Sequence, residues 1–394
     1  MTLLSFVLAV EVIACVPAFY LGFLTLAAVA VWMTRRGQKL KNPPAPGTIA
    51  FVIPAHNEEL VVGRTIDNLK ALDDKDFTIN VVADNCSDRT AAICSAAGAR
   101  VFERFSEKDK SKGHALAWLI PQVIAEHKRS GRELLAVVVV DADGTIDSGS
   151  AAAARKWFGA GAKVLQSAYR LERGASSRSR VMSIAFAAIN IVRGYGRLAL
   201  SLPDTLKGNG MWFHASVLER HPWRAFSLAE DLEFGLLLRE AGIFVSFFPE
   251  GMATGLPGEG DVASGHQRAR WESGRLAIVM KELPGLFRKP LNRGSIDLMM
   301  ELATPPLSFY VMLLGLLLAG HLIFGVPATI VWLAILCLAF NLLAAIPLAG
   351  LPGDAVMDLI GAPFFLVWKL SLLPRIWRDR NSKKWIRTSR DGKN

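Results

Sequence analysis

The stretch Val137-Val138-Val139-Val140-Asp141-Ala142-Asp143 decides the fold class. Four consecutive β-branched apolar residues read as a strand buried on both faces, as in a sheet covered by helices. The strand ends at once in two carboxylates, and Gly144 directly after them permits a turn that lets both serve one site. A lone D-x-D fits an Asp-capped loop as well as a ligand site, so the weight falls on what surrounds it.

From residue 48 onward, short apolar runs alternate with amphipathic stretches, the pattern of βα units around a largely parallel sheet. Residues 48–53, 77–84 and 101–104 read as strands and 58–72 and 112–128 as helices, while Asp88 caps a further helix ending near Gly98. Asn57, Asp84 and Asp141 then stand at or just beyond carboxyl ends of strands, where open α/β sheets bind ligands. The second half is less regular. Residues 163–172 and 243–248 read as strands, and 181–192 as an apolar helix too short to cross a bilayer. Gly208-Asn-Gly-Met-Trp-Phe213 combines glycines with a short apolar run and reads either as a tight turn or as a loop whose backbone comes close to a ligand or another strand. Ser227 and Glu230 have capping-box spacing ahead of a helix bearing Leu232, Leu236 and Leu237.

The chain ends differ in texture. Residues 3–33 are apolar except for Glu11, and roughly 20 such residues cross a bilayer, so 1–34 reads as a transmembrane helix. Arg35, Arg36, Lys39 and Lys41 follow it and by the positive-inside bias put the next residues in the cytoplasm. Residues 35–47 are a basic, Pro-rich linker, 48–283 the α/β domain, and 284–303 an interfacial helix mixing Arg288, Lys289 and Arg293 with apolar residues. Residues 304–350 hold two further crossings. Asp354, Asp358, Pro363 and Lys369 interrupt 351–374, which reads as interfacial or re-entrant, and the basic tail 375–394 is cytoplasmic again.

The 394 residues are 52% hydrophobic and carry a formal charge of +10. The cations gather beside the apolar ends, and no aromatic-and-basic module is visible, so the partner is a membrane surface and not nucleic acid. Cys15, Cys86, Cys94 and Cys337 form no C-x-x-C pair, which supports neither a zinc site nor a disulfide framework. The lone His56, His114 and His266 have no ligand spacing.

Six motifs stand in order: Ile53-Pro-Ala-His-Asn-Glu-Glu59, Val82-Ala-Asp-Asn-Cys-Ser-Asp-Arg-Thr90, Lys112-Gly-His-Ala-Leu116, Asp141-Ala-Asp143, Ala229-Glu-Asp231 and Gln267-Arg-Ala-Arg-Trp271. With them, residues 48–280 resemble the membrane-integrated family 2 glycosyltransferases, a group that includes bacterial cellulose, hyaluronan and poly-N-acetylglucosamine synthases and ceramide glucosyltransferase. Two motifs depart from that family: its Asp-Asp pair is Ala83-Asp84 here, and its Thr-Glu-Asp is Ala229-Glu230-Asp231.

The resemblance implies an α/β, Rossmann-like mixed sheet of GT-A type flanked by transmembrane helices in a bacterial inner membrane. It also implies an inverting glycosyltransferase that uses a UDP-sugar and Mg2+ or Mn2+. Asp143 would hold the cation, with Asp141 beside it or nearer the ribose. Asp84 would accept from the imide N–H of a uracil-type base, with Pro54, Asn57, Glu58 and Lys112 also on the donor side. Gly208, Asn209, Gly210, Glu230, Gln267, Arg270 and Trp271 would face the acceptor and the diphosphate. Asp231 would be the general base, kept ionised by a helix N-terminus. The acceptor is a polysaccharide or a lipid-linked sugar, with a membrane glycolipid as the alternative. An export partner or a second subunit would complete any channel. The rival from another class is a degenerate, membrane-anchored nucleotide-binding regulator.

Overall fold

The structure is a computed structural model that describes residues 3–35, 41–257, 261–288, 290–374 and 377. It divides into two units. One comprises Gly37–Glu172 and Pro203–Ala277, the other Met1–Arg36, Arg173–Leu202 and Ile278–Pro374.

The first unit is built on one mixed sheet. Its strands are β1 (Thr48–Ala55), β2 (Phe77–Asp84), β3 (Arg100–Arg104), β4 (Leu134–Val139), β5 (Thr145–Ile146), β6 (Val164–Leu171), β7 (Met211–His214) and β8 (Val245–Gly255). They run in the order β3-β2-β1-β4-β7-β6-β8-β5. β4, β1, β2 and β3 are parallel, β7 is antiparallel to both β4 and β6, and β6 pairs with β8 in parallel. The valine run is buried on both faces because each face has its own cover. Val137 and Val139 enter a core with Leu116, Leu119 and Val123 of the helix Lys112–Arg129 and with Phe213 and Phe234. Val138 lies opposite Trp212 in the ladder, and both are fully buried. Each such side chain contributes roughly 1.5–3 kcal/mol through burial.

The parallel half follows the sequence pattern, and the antiparallel half departs from it. Met211-Trp212-Phe213 is not loop but the centre of the sheet, fully buried between β4 and β6. β8 runs on to Gly255 instead of stopping at Phe248, through a register shift opposite Ser167 and Ala168. The first helix is shorter than expected, Val62–Lys70. Before it, Glu58 and Glu59 give their N–H groups to Thr90 Oγ1 and Asp88, joining the β1 loop to the β2 loop.

Among the described residues the second unit has three helices long and apolar enough to cross a membrane: residues Ala9–Thr34 within the helix Leu3–Arg35, Leu307–Phe324 and Thr329–Leu348. The segment 177–199 belongs to this unit. It runs as a helix over Ser177–Ala187, widens to a π-helical turn over Ala188–Val192, and resumes over Arg193–Ala199. Gly196 packs so closely on the first helix that a Cβ there would lie 2.5 Å from the Leu24 carbonyl. Inside this apolar unit several described charges are paired. Arg197 bonds Asp297 at 3.1 Å and Glu301 at 2.9 Å, Arg193 bonds Glu301 at 3.0 Å, and Tyr20 donates to Asp297. Asp358, on the 3-10 helix Gly353–Gly361, takes Arg173 at 2.7 Å and Arg180 at 3.0 Å.

Losing one member of a buried ionic set strands the others, at a cost of about 3–5 kcal/mol, whereas removing a matched pair is often close to neutral. Arg197→Leu is therefore expected to lower thermal unfolding in detergent sharply. Adding Asp297→Leu, which leaves Arg193 and Glu301 paired, is expected to restore most of the loss.

Candidate active site

The carboxyl end of β4 is turned and held from three sides. Val140 N–H still bonds Val52 O at 3.1 Å, and then Gly144 N–H bonds back to Asp141 O at 2.9 Å. Gly144 serves here through space and not backbone freedom: its φ is not left-handed, but a Cβ would lie 2.8 Å from the Asn209 amide nitrogen. Thr65, from the first helix after β1, donates its hydroxyl to Ala142 O at 2.8 Å. Asp141 N–H donates to Asn209 Oδ1 at 3.1 Å. Burial first, and then the charges of Asp141 and Asp143, hold the Tyr169 phenol of β6 well above the ordinary tyrosine range.

Lys112 is the cation of this neighbourhood. Ser111 caps its helix by accepting from His114 N–H. Gly113 fits only because a Cβ would lie 2.0 Å from the Ala225 carbonyl. The Lys112 ammonium donates to Asp141 Oδ1 at 2.6 Å and to Gly208 O at 2.8 Å, and it lies 3.4 Å from Glu230 Oε1. Burial alone would push it toward neutrality, but Asp141 and Glu230 outweigh that and hold its pKa above the ordinary lysine value.

Asp231 opens the helix Glu230–Glu240. The expected Ser227 cap is absent: Ala229 is the cap position and no side chain bonds there. Instead Glu233 reaches back to accept from Phe226 N–H at 3.0 Å and Ser227 N–H at 2.9 Å. A Cβ on Gly208 would lie 3.2 Å from Asp231 Oδ2, which places Asp231 against the same loop. Nor does the helix start keep Asp231 acidic. Burial, then the Glu230 charge, raise its pKa to about 7 against the opposing pull of Lys112 and the Leu232 N–H.

Lys112, Asp141, Gly208, Asn209 and Glu230 are thus directly linked, with Asp231 adjoining. Gly210 packs against Ser167 of β6 and Ala253 of β8, so the glycine loop comes close to other strands. Asp84 forms a second centre at the end of β2. It is fully buried, ion-paired with Arg104, and takes the Asn85 amide at 3.2 Å. Pro54 lies opposite Val82 in the ladder, and Asn57, left-handed with φ of 56°, accepts from Ser87 N–H at 2.7 Å. His56 donates to the Asp84 carbonyl at 2.7 Å. Glu58 contributes its backbone to that loop. Trp271 sits on the helix Asp261–Leu286 with the Arg268 guanidinium 5.8 Å from its ring centre. The side chains of Gln267 and Arg270 lie outside the described residues. Sequence reasoning missed Thr65, Arg104, Gln166 and Tyr169.

Against this geometry stands a family model described as "Glycosyltransferase like family 2", which matches residues 45–274. The chain belongs to that family. A probable glycosyltransferase of Bacillus subtilis (strain 168), YdaM, is 26% identical over 305 residues, covering 72% of this chain and 70% of the relative. Among solved structures, a mannosyltransferase from Pyrobaculum calidifontis in complex with GDP-Man and Mn2+ is 15% identical. It covers 94% of this chain and all of its own, with a TM-score of 0.49. Glucosyl-3-phosphoglycerate synthase from Mycobacterium tuberculosis, with Mn2+, UDP and glucosyl-3-phosphoglycerate, is 19% identical over 58% of this chain and 74% of its own, with a TM-score of 0.34.

The raised pKa of Asp231 has a thermodynamic sign. A carboxyl that binds its proton more tightly when folded contributes stability that is complete below about pH 4 and lost as pH rises through about 7. Unfolding of metal-free protein across pH 4–8 is expected to show Asp231→Asn gaining on the unsubstituted chain, by on the order of 1–4 kcal/mol at the alkaline end.

Proposed function

We propose that this family 2 enzyme moves a hexose or N-acetylhexosamine from a nucleotide-diphosphate sugar, foremost a UDP-sugar, to a polysaccharide or lipid-linked acceptor by one inverting displacement. The observation that carries the reading is the Lys112, Asp141, Glu230 and Gly208 set with Asp231 beside it. It gives a carboxylate near neutral pKa, suited to accept a proton at working pH, next to a fixed cation. Asp231 takes the proton of the attacking acceptor hydroxyl. Lys112 pairs with Asp141 and Glu230 beside it. No enzyme nucleophile is required, because the nucleotide is already a good leaving group. Asp84, with Arg104, serves the base of the donor.

The donor set also fits a divalent cation. Among the described residues no three His, Cys, Asp or Glu side chains form a metal cage. Mg2+ and Mn2+ need none, since they keep waters and take one or two carboxylates with phosphate oxygens. Asp143 would hold the ion with Asp141, and its chemistry when bound is to neutralise the departing diphosphate.

Sugar transfer from a radiolabelled panel of UDP- and GDP-sugars, with purified protein in membrane lipids, tests the reading. Asp231→Asn is expected to cut turnover by more than about 100-fold while nucleotide affinity stays within a few fold. Turnover above roughly a tenth would put the base elsewhere. Nucleotide binding with no transfer from any donor would favour the regulator reading, in which the Ala83 and Ala229 departures mark lost activity.

We further propose that the enzyme is a multi-pass inner-membrane protein with its catalytic unit and its tail in the cytoplasm. The charge bias of the flanks supports this. So does the segment Gly353–Leu370. Asp358 near its start pairs with Arg173 and Arg180, and Lys369 at its end lies 5.6 Å from the ring centre of Phe309, at the start of the helix Leu307–Phe324. A segment meeting the beginning of that helix with its far end lies across the bundle, not along it. A cysteine at Ser389, in a chain free of its own four, is expected to resist impermeant maleimide in intact cells and to react once they are opened. Labelling in intact cells would require another crossing.

A further inference from the structure

Gln166 is a polar side chain inside the sheet. It is fully buried on β6, opposite Met211 of β7 on one side and Phe247 of β8 on the other. An amide in such a place costs free energy unless its hydrogen bonds are met. They are met, and mostly by the glycine loop. Gln166 Oε1 accepts from Lys207 N–H at 2.9 Å, while Nε2 donates to Asn209 O at 2.9 Å and to Ser167 O at 3.0 Å. In taking an N–H and a carbonyl two residues apart, the side chain acts as the backbone of a neighbouring strand would. Between the two bonded residues stands Gly208, left-handed with φ of 83°, a conformation glycine adopts freely. Its carbonyl takes the Lys112 ammonium at 2.8 Å, and one residue on the Asn209 side-chain oxygen takes the Asp141 N–H at 3.1 Å. The start of the loop has a tether of its own. Lys207 Nζ pairs with Asp204, whose N–H bonds Val245 O of β8 at 2.8 Å.

We propose that Gln166 is a positioning residue, which clamps the backbone on either side of Gly208 and so sets where the Gly208 carbonyl meets Lys112 and where Asn209 meets Asp141. The consequence for substrate binding rests on the donor-side role given to Lys112; the structural claim does not. Glutamine suits the place because one neutral group supplies both the acceptor for Lys207 N–H and the donor for Asn209 O. A methionine of similar length would fill the volume and return neither bond. The sheet around it would stand, since its ladder bonds are backbone bonds, and the Asp204 tether would keep the start of the loop in place. What would be lost is the fixed direction of two acceptors, the Gly208 carbonyl and the Asn209 side-chain oxygen.

Single-amide hydrogen exchange on the full-length protein in detergent, without nucleotide or metal, is the first test. In the unsubstituted chain the Lys207 amide is expected to exchange on the order of 100-fold more slowly than an open loop amide. An unprotected Lys207 amide would overturn the proposal before any variant is made. Gln166→Met is expected to speed exchange at Lys207 and at Asp141 about tenfold, roughly the protection of one hydrogen bond. The amides of Val137 and Val138 should be unchanged. Unchanged exchange at Asp141, or faster exchange throughout β4, would each count against the clamp, the latter by showing a general packing loss. A second readout asks whether Gln166 acts through Lys112. Gln166→Met is expected to weaken UDP binding about fivefold in an otherwise unsubstituted chain and by less than about 1.5-fold in Lys112→Gln, because the two act along one route. Equal losses in both backgrounds, or no loss in either, would overturn that link. Failure of the unsubstituted protein to bind UDP would sink the donor reading and leave the exchange result to decide on Gln166.

Discussion

The site depends on one ammonium group in a nest of carboxylates. Lys112 Nζ meets a strand end at Asp141, a loop carbonyl at Gly208 and a helix start at Glu230, three segments far apart in the chain. Without it, Asp141, Glu230 and Asp231 would be like charges in a poorly solvated space, and they would separate or take up protons. Without them, a lysine so buried would be driven to neutrality. Neither half is stable alone. Their mutual dependence fixes where the glycine loop and the helix Glu230–Glu240 come to rest relative to β4. The same balance leaves Asp231 as the carboxylate that Lys112 does not fully compensate, which is why its proton is held into the neutral range.

What could be read in advance follows the range of the interactions. The valine run ending in Asp141-Ala142-Asp143, the strand ending in Asp84 and the helix beginning at Lys112 all declare themselves by local pattern, and all are where that pattern puts them. Met211-Trp212-Phe213 was opaque because a strand this short has no period to count, and its glycines speak of a loop. Tyr169 was opaque for the opposite reason: inside a clear strand, an aromatic residue reads as core. Thr65 and Arg104 are ordinary polar residues whose partners, Ala142 and Asp84, lie far along the chain. The Ser227 cap is absent because Glu233, in the first turn of the helix, takes the Ser227 N–H that a capping box would give to Glu230.

The apolar unit repeats the theme with other residues. Arg193 and Arg197 stand on the helix Arg193–Ala199, and Asp297 and Glu301 on the helix Arg293–Ala303, about a hundred residues on. Together they cancel in a closed set that water barely reaches. In such surroundings an isolated charge would be far more costly than in the catalytic unit, so the pairing has to be complete.

The stretch Arg173–Leu202 belongs to the apolar unit, yet it interrupts the catalytic sheet between β6 and β7. During synthesis the ribosome therefore releases β1 to β6, then a helix of the apolar unit, and only afterwards the strand that belongs between β4 and β6. The carboxylates that neutralise Arg193 and Arg197 arrive about a hundred residues after those arginines. The two units cannot ripen one after the other. A chain cut back to residues 37–277 would keep both arginines and lose Asp297 and Glu301, which meet them.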